Sequence, residues 1–349
     1  MAIVKLGDVA REYKATVRNA AGLPVVGLEH LTPRELILES WDVDVETTFT
    51  KGFKKGQMLF GRRRAYLKKA AIAPFDGICS GDITVIEAIP GKINPDLLPF
   101  VIQNDSLFDF AVGKSAGSLS PRVKWEQLKD YEFELPEIDK QQALVDILTA
   151  ALQTRKAYQR QLAATDELVK SQFIEMFGNI ENTAMLSECA YIAKGKMITR
   201  EDVVPGDIPV IAAGIEPSCY HNEANRDAGI ITVSASGANA GYVNYWNIPI
   251  FASDCNTVLT KNPEILDEVF LYCRLKVLQG EIFQMQRGSG QPHVYAKDIE
   301  KIVVPIPPIE EQRKYSLFVQ QSDKSKFELE QAIQRIDNLI KSLIQQKND

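Results

Sequence analysis

The chain has 349 residues, of which 45% are hydrophobic and 25% charged, with a formal net charge of −6. This composition excludes intrinsic disorder, and no run approaches the roughly 18 apolar residues that a membrane helix needs. The acidic balance argues against indiscriminate coating of nucleic acid, although a local basic patch can still hold phosphate.

Residues 1 to about 118 read as mostly β. Apolar runs such as Ala70–Ala73 and Ile83–Ile86 are short and bounded by Pro74, Gly81 or Pro90, which suits strands. Leu97 to Val112 carries apolar residues at helical intervals and is expected to form one helix. From Asp139 to Phe177 there is neither proline nor glycine. One apolar seam passes through Leu144, Leu148, Ala151, Arg155, Tyr158, Leu162, Thr165, Val169, Gln172 and Met176, in alternating steps of four and three, which is the period of a coiled coil. At about 1.5 Å per residue, roughly 39 residues make a rod of about 58 Å. Residues 180 to about 290 return to a mixed texture. Strands are expected at Pro209–Ile211, Gly229–Val233 and Asn256–Leu259, and a helix from Glu268 to Gln279. A second long helix follows, with its seam at Tyr315, Val319, Ser322, Lys326, Leu329, Ile333, Ile336, Ile340 and Leu343. Both seams contain a cation at the same place, Arg155 and Lys326; these either reach out to solvent where the seam is loose, the favoured reading, or mark a local break.

The two long helices are copies. Pro121 to Ser171 recurs from Pro292 to Ser342 with a constant separation of 171 positions, from Pro136/Pro307 and Gln141/Gln312 through Asp166/Asp337 to Leu168-Val169-Lys170-Ser171 against Leu339-Ile340-Lys341-Ser342. A period that long is a duplicated domain-plus-helix unit, because solenoid repeats run about 20 to 50 residues. The globular parts are less alike. Ser80–Val85 matches Ser253–Val258 loosely, and Leu6-Gly7-Asp8 matches Leu186-Ser187-Glu188. A helix with one apolar stripe must bury it, and each helix finds its nearest partner in its duplicate. The expected fold is α+β, with two mixed α/β domains separated by two long antiparallel coiled-coil helices in a pseudo-two-fold internal repeat. The boundaries read as 1–136 for the first domain, 137–179 for its helix, 180–307 for the second domain and 308–349 for its helix.

Four stretches could carry function. Lys54 to Lys69 holds seven cations and no acid (Lys54, Lys55, Arg62, Arg63, Arg64, Lys68 and Lys69), with Tyr66 among them. Such residues neutralise phosphates, and arginine also grips guanine through two hydrogen bonds. A solvated charged strand is the alternative. In the second half, Thr232 to Asn244 offers Ser234, Ser236, Asn239, Tyr242 and Asn244 on a glycine-rich loop; a plain surface turn is the more frequent explanation of such a loop, and if it reads bases it does so with neutral groups. Ahead of each long helix lies a Gly/Ser loop with a cation and a proline. These loops supply Lys114, Ser118 and Arg122 in the first half, and Arg287, Ser289, Gln291 and His293 in the second. They can donate backbone N–H groups to phosphate or serve as hinges.

No catalytic motif emerges. There is no Asn/Asp-Pro-Pro-Tyr/Phe tetrad of an amino-methyltransferase, no phosphate-binding loop and no HExxH. Five scattered cysteines (Cys79, Cys189, Cys219, Cys255, Cys273) and three histidines favour neither a disulfide framework nor a metal site. The opening Met1–Asp8 lacks the apolar core of a signal peptide, so a cytoplasmic location is expected.

The order domain, helix, domain, helix, together with Val303-Val304-Pro305-Ile306-Pro307-Pro308-Ile309-Glu310-Glu311-Gln312-Arg313, resembles the DNA-specificity subunits of type I restriction-modification systems. The first copy departs from that signature, reading Leu135-Pro136-Glu137-Ile138-Asp139-Lys140-Gln141 with one proline fewer. The resemblance implies a non-catalytic protein without cofactor that reads two half-sites of double-stranded DNA, one per domain. The helix pair would set the spacer between them. Two modification (methyltransferase) subunits, which flip out the target adenines, would dock along the helices, and restriction (endonuclease) subunits would join that core. Competing readings are a protein-interaction scaffold and a stand-alone DNA methyltransferase or nuclease.

Overall fold

The computed structural model describes residues 2–18, 21–117, 119–288 and 290–344. The chain divides into two compact units. One comprises Met1–Tyr158 with Gln331–Asp349, and the other Gln159–Glu330. Each unit is one globular domain plus half of each long helix, which run Ile138–Phe177 and Ile309–Ile344.

The first domain contains β1 (Ala2–Lys5), β2 (Ala10–Glu12), β3 (Val25–Val26), β4 (Lys51–Phe53), β5 (Met58–Gly61), β6 (Ala70–Ile72), β7 (Gly77–Cys79), β8 (Ile83–Ala88) and β9 (Glu132–Leu135). The second contains β10 (Thr183–Met185), β11 (Ala190–Lys194), β12 (Ile208–Ile211), β13 (Cys219–His221), β14 (Ile230–Ser234), β15 (Val243–Trp246), β16 (Phe251–Ala252), β17 (Cys255–Thr260) and β18 (Val303–Pro305). The main sheets have the same order, β2-β8-β5-β6 and β11-β17-β14-β15, all antiparallel. Small two-stranded ribbons, β1 with β9 and β10 with β18, close each domain ahead of its long helix. The domains differ in their three-stranded sheets. β3 and β12 run parallel to β7 and β16 in turn. The third strand adds beside β7 in the first domain and beside β12 in the second. Two α+β domains that share the order of their main sheets and ribbons are thus present, as the repeat implies.

The central strands are buried on both faces, which is why they read as short continuous apolar runs: Met58, Leu59 and Phe60 are all within 1% of full burial, and so are Ile231 and Val233. The segment Leu97–Val112 departs from expectation, forming two helices, Leu98–Ile102 and Asp105–Lys114. Asn104 stands between them in an extended conformation, and its side chain accepts a hydrogen bond from the Ser106 N–H. A good N-cap restarts the helix there and overrides the continuous apolar period.

Within each unit the long helices run antiparallel. In the first, Leu144 lines a cavity with Leu343 and Ile344, while Arg155 meets Asp337. In the second, Asp166 meets Lys326, and the Tyr315 hydroxyl donates to the Val169 carbonyl at 2.7 Å. Of the expected seam, Leu148 and Val319 are buried, and Leu144, Tyr158, Leu162, Val169, Leu329, Ile333, Ile336 and Ile340 are half-buried. The seam rotates near the end of the first helix. Phe173 and Phe177 are buried while Met176 is exposed. There the helix packs on the second domain, and Phe173, Phe177, Phe270 and Tyr315 form one aromatic cluster, edge-to-face except for the tilted Phe173–Phe270 pair, with centroids 4.9 to 6.3 Å apart.

The seam cations are held in ion pairs, half-buried, rather than extended into solvent. Arg155 is only 14% exposed and bonds Asp337 and Glu35, each at 3.5 Å. Lys326 bonds Asp166 at 2.9 Å and Asp323 at 2.7 Å. Burial opposes the Lys326 charge, yet these carboxylates raise its pKa. Arg155 aligns with Lys326 and Asp337 with Asp166 in the repeat, so the two cross-helix pairs are copies of one another. That reciprocity is the mark of an isologous contact.

The signature glutamines join helix to domain. Gln141 is 1% exposed; its side-chain carbonyl accepts from the Asn94 N–H at 2.7 Å and its amide donates to the Pro136 carbonyl at 2.8 Å. Gln312, fully buried, accepts from the Asp267 N–H at 2.9 Å and donates to the carbonyls of Pro307 and Ile265 at 2.7 and 2.9 Å. Asn94 and Asp267 occupy equivalent places.

Candidate nucleic-acid interface

Two unlike stretches of sequence, the arginine triplet and the glycine-rich run, fold into the same object. Each is the eight-residue loop of a hairpin: 62–69 joins β5 to β6, and 235–242 joins β14 to β15. The Gly61 N–H donates to the Lys69 carbonyl at 2.9 Å, and the Ser234 N–H donates to the Tyr242 carbonyl at 3.0 Å. The first residue of each loop bonds an aspartate ahead of the next strand: Arg62 N–H to the Asp82 carbonyl at 3.0 Å, and Ala235 N–H to the Asp254 carbonyl at 3.2 Å. Both loops turn through left-handed backbone at matching positions, Arg64 (φ 54°) and Lys68 (φ 52°) against Gly237 (φ 77°) and Gly241 (φ 90°). A Cβ on Gly241 would lie 3.1 Å from the Ile282 side chain, which adds a packing reason to the conformational one. The first loop carries bulky cations through the same path at the cost of left-handed strain.

Each loop is laced to the segment ahead of its long helix. Arg63 bridges Arg122, which bridges Ala116; Ser236 bridges His293, which bridges Arg287. Further bonds run from Arg64 N–H to the Pro121 carbonyl at 2.8 Å and from Gly237 N–H to the Pro292 carbonyl at 2.9 Å. The hairpin loop and the pre-helix loop therefore form one continuous surface in each domain.

The side chains differ. In the first domain Asp82 gathers the arginines: Arg122 binds it through Nε and Nη2 at 2.7 and 3.1 Å, and Arg63 lies 3.6 Å away. The Arg122 hydrogen bond holds the Asp82 carboxyl below its usual range. Arg63 also donates to the Ser120 hydroxyl at 2.7 Å. The Arg62 Nε is buried without a partner. Arg64 and Tyr66 are exposed. Other cations of the stretch are paired within the domain: Lys54, at the surface, with Asp76 at 2.7 Å, and the half-buried Lys68 and Lys69 with Asp105 at 2.5 Å and the Leu28 carbonyl at 2.7 Å. Lys55 is exposed, and Lys114 lies over the Phe110 ring. The chain pattern alone could not separate the free cations from the neutralised ones, because Asp76, Asp82 and Asp105 come from other elements.

In the second domain the Ser236 hydroxyl bonds the Asp254 carboxylate, Ser234 bonds the Gly214 carbonyl, and the Asn244 amide donates to Ile215. Lys276 sits over the Tyr242 ring, 4.4 Å from its centroid, and donates to the Val243 carbonyl at 3.2 Å. Gln279 and Gln286 donate to the carbonyls of Gly241 and Ala240 at 2.8 and 2.7 Å. These three braces were not foreseen, because the loop they hold is over 30 residues away in the sequence. Asn239 is half-buried and Gln291 exposed. Arg287 pairs with Asp298 at 2.8 Å, and His293 stacks on Tyr295. Ser118 and Ser289 lie outside the described residues.

Among the described residues no group of acids, histidines or cysteines could hold a metal ion. Burial pushes the thiols of Cys79, Cys255 and Cys273 up to about 12, where they are inert as nucleophiles. No helix among the described residues is long and apolar enough to cross a membrane.

Comparison with known proteins agrees with this architecture. The family model described as "Type I restriction modification DNA specificity domain" matches twice, over residues 2–163 and 182–338. A putative type I specificity subunit of Mycoplasma genitalium is 26% identical over 207 residues, which cover 57% of this chain and 54% of that protein. The specificity subunit of the type I restriction enzyme EcoDI of Escherichia coli is 25% identical over 162 residues, 42% of this chain and 35% of that one. The match thus spans about half, or less, of the length of these relatives. Among solved structures, a type I restriction-modification S subunit from M. genitalium superposes with a TM-score of 0.63 at 17% identity, covering 99% of this chain and 96% of that one. A chain from a study of assembly and conformational transition of the type I restriction-modification system gives 0.60 at 18%, covering 98% and 96%. With one loop junction repeated in both domains and the family model matching each, the chain belongs to the type I restriction-modification DNA specificity family.

Proposed function

We propose that this chain is the sequence-specific DNA-binding subunit of a type I restriction-modification complex. Each domain reads one half-site of a bipartite target in double-stranded DNA through its hairpin loop and the adjoining pre-helix loop. The two long helices set the spacer between half-sites and offer the platform on which two modification subunits and the restriction subunits assemble. The chain catalyses nothing itself and works in the cytoplasm. The observation that carries this reading is the duplicated junction: one backbone framework, built twice, displays two different sets of side chains. A framework kept constant while its side chains diverge fits a pair of readers for two different words, since backbone contacts position and side chains specify. An interaction scaffold would need no such pairing.

The test is to map adenine methylation in DNA from cells that carry this chain with its modification subunit. The expected result is a split motif with an unspecified spacer. Adding one heptad to both long helices should then demand a longer spacer. Methylation that is absent, or that falls on a continuous motif, refutes the proposal.

A further inference from the structure

The matched loops permit a residue-by-residue comparison, and their chemistry is opposite. Positions 62–69 hold five cations, and positions 235–242 hold none. Three of the five are tied down internally, Arg63 by Asp82 and Ser120, Lys68 by Asp105 and Lys69 by the Leu28 carbonyl. Arg64 is different. It is exposed, and among the described residues its guanidinium makes no hydrogen bond or ion pair. In the second loop Gly237 takes that place and removes the side chain altogether. There the hydroxyls of Ser234 and Ser236 and the amide of Asn244 are bonded internally. The Asn239 amide, opposite Tyr66 of the first loop, has no side-chain partner among the described residues, and its loop is held by Gln279 and Gln286.

We infer that the two half-sites are held by different physics: Arg64 anchors the first domain on DNA phosphate, and Asn239 reads a base edge, with adenine its best match, for the second. An arginine on phosphate releases counterions and makes binding salt-dependent, by about 0.9 units of log–log slope for each contact. An asparagine amide can bond the N6 and N7 positions of adenine in the major groove with no net charge. Its contribution is therefore insensitive to salt. This inference rests on the bipartite reading above and adds a division of labour to it.

The experiment uses the full chain assembled with its modification subunits and titrated onto the target DNA identified by methylation mapping, at several salt concentrations. Arg64→Ala should lower the slope of log affinity against log salt by about one unit. It should leave the discrimination against DNA with an altered second half-site intact, and Arg64→Lys should restore the slope. Asn239→Ala should leave the slope unchanged. It should weaken target binding roughly 5- to 150-fold and shrink discrimination at one position of the second half-site by the same factor. An unchanged slope in Arg64→Ala, or unchanged discrimination in Asn239→Ala, overturns the inference while bipartite recognition stands. A complex that prefers no split target overturns both together.

Discussion

Replacing Gln312 by alanine tests how the second long helix is fastened to its domain. The side chain is fully buried and makes three hydrogen bonds between 2.7 and 2.9 Å, to Asp267, Pro307 and Ile265. Each such bond is worth about 1 kcal/mol net, and removing one side of it leaves a buried partner unsatisfied, so the loss should be about 3 kcal/mol. Gln141→Ala removes two bonds, to Asn94 and Pro136, and should cost about 2 kcal/mol. The Asp267 N–H is the local reporter. Asp267 also caps the helix Glu268–Val277 and accepts from the Ser316 hydroxyl at 2.5 Å, so loss of the glutamine should loosen that corner first. Because a chain of two units need not unfold in one step, native-state hydrogen exchange is the better assay, backed by urea denaturation. A drop of about 3 kcal/mol corresponds to roughly 100-fold faster exchange at Asp267. A loss below about 1 kcal/mol for Gln312→Ala, or a larger one for Gln141→Ala, would show that the buried amides are not what fixes the helices.

Two further outcomes follow from the packing and the charges. Phe173→Ala should destabilise the second unit by about 3 to 5 kcal/mol, because Phe173 is 1% exposed inside the four-ring cluster; calorimetry of the variant against the parent measures it. Asp82 has its pKa lowered in the folded chain, chiefly by the Arg122 hydrogen bond. Its stabilisation is therefore complete above the unfolded carboxylate value of about 3.9 and fades as pH falls through the lower native value. Urea midpoints between pH 2 and 6 should show the gap between the parent and Asp82→Asn closing on the acid side, and a gap that stays constant with pH would refute the ion-pair assignment.

How much of this was legible beforehand differs element by element. The helices Ile138–Phe177 and Ile309–Ile344 were readable because their apolar period and lack of proline and glycine are local properties. Their kinship was readable because the 171-residue register runs without a gap. The ends of the seam were not, since whether Met176 or Phe177 faces inward depends on which surface the helix meets there, the partner helix or the domain. The break at Asn104 was missed for a related reason: one capping side chain outweighs a continuous apolar pattern.

Composition and periodicity by themselves determined that there are two α+β domains on duplicated helices, and that cations cluster in the first domain. Only the tertiary structure decided that the arginine triplet and the glycine-rich run are the same loop, because what they share is a set of backbone hydrogen bonds that any side chains can accompany. It also decided which charges stay available. Asp76, Asp82 and Asp105 arrive from separate elements to neutralise Lys54, Arg122 and Lys68, and a charge's worth depends on its neighbours in space rather than along the chain.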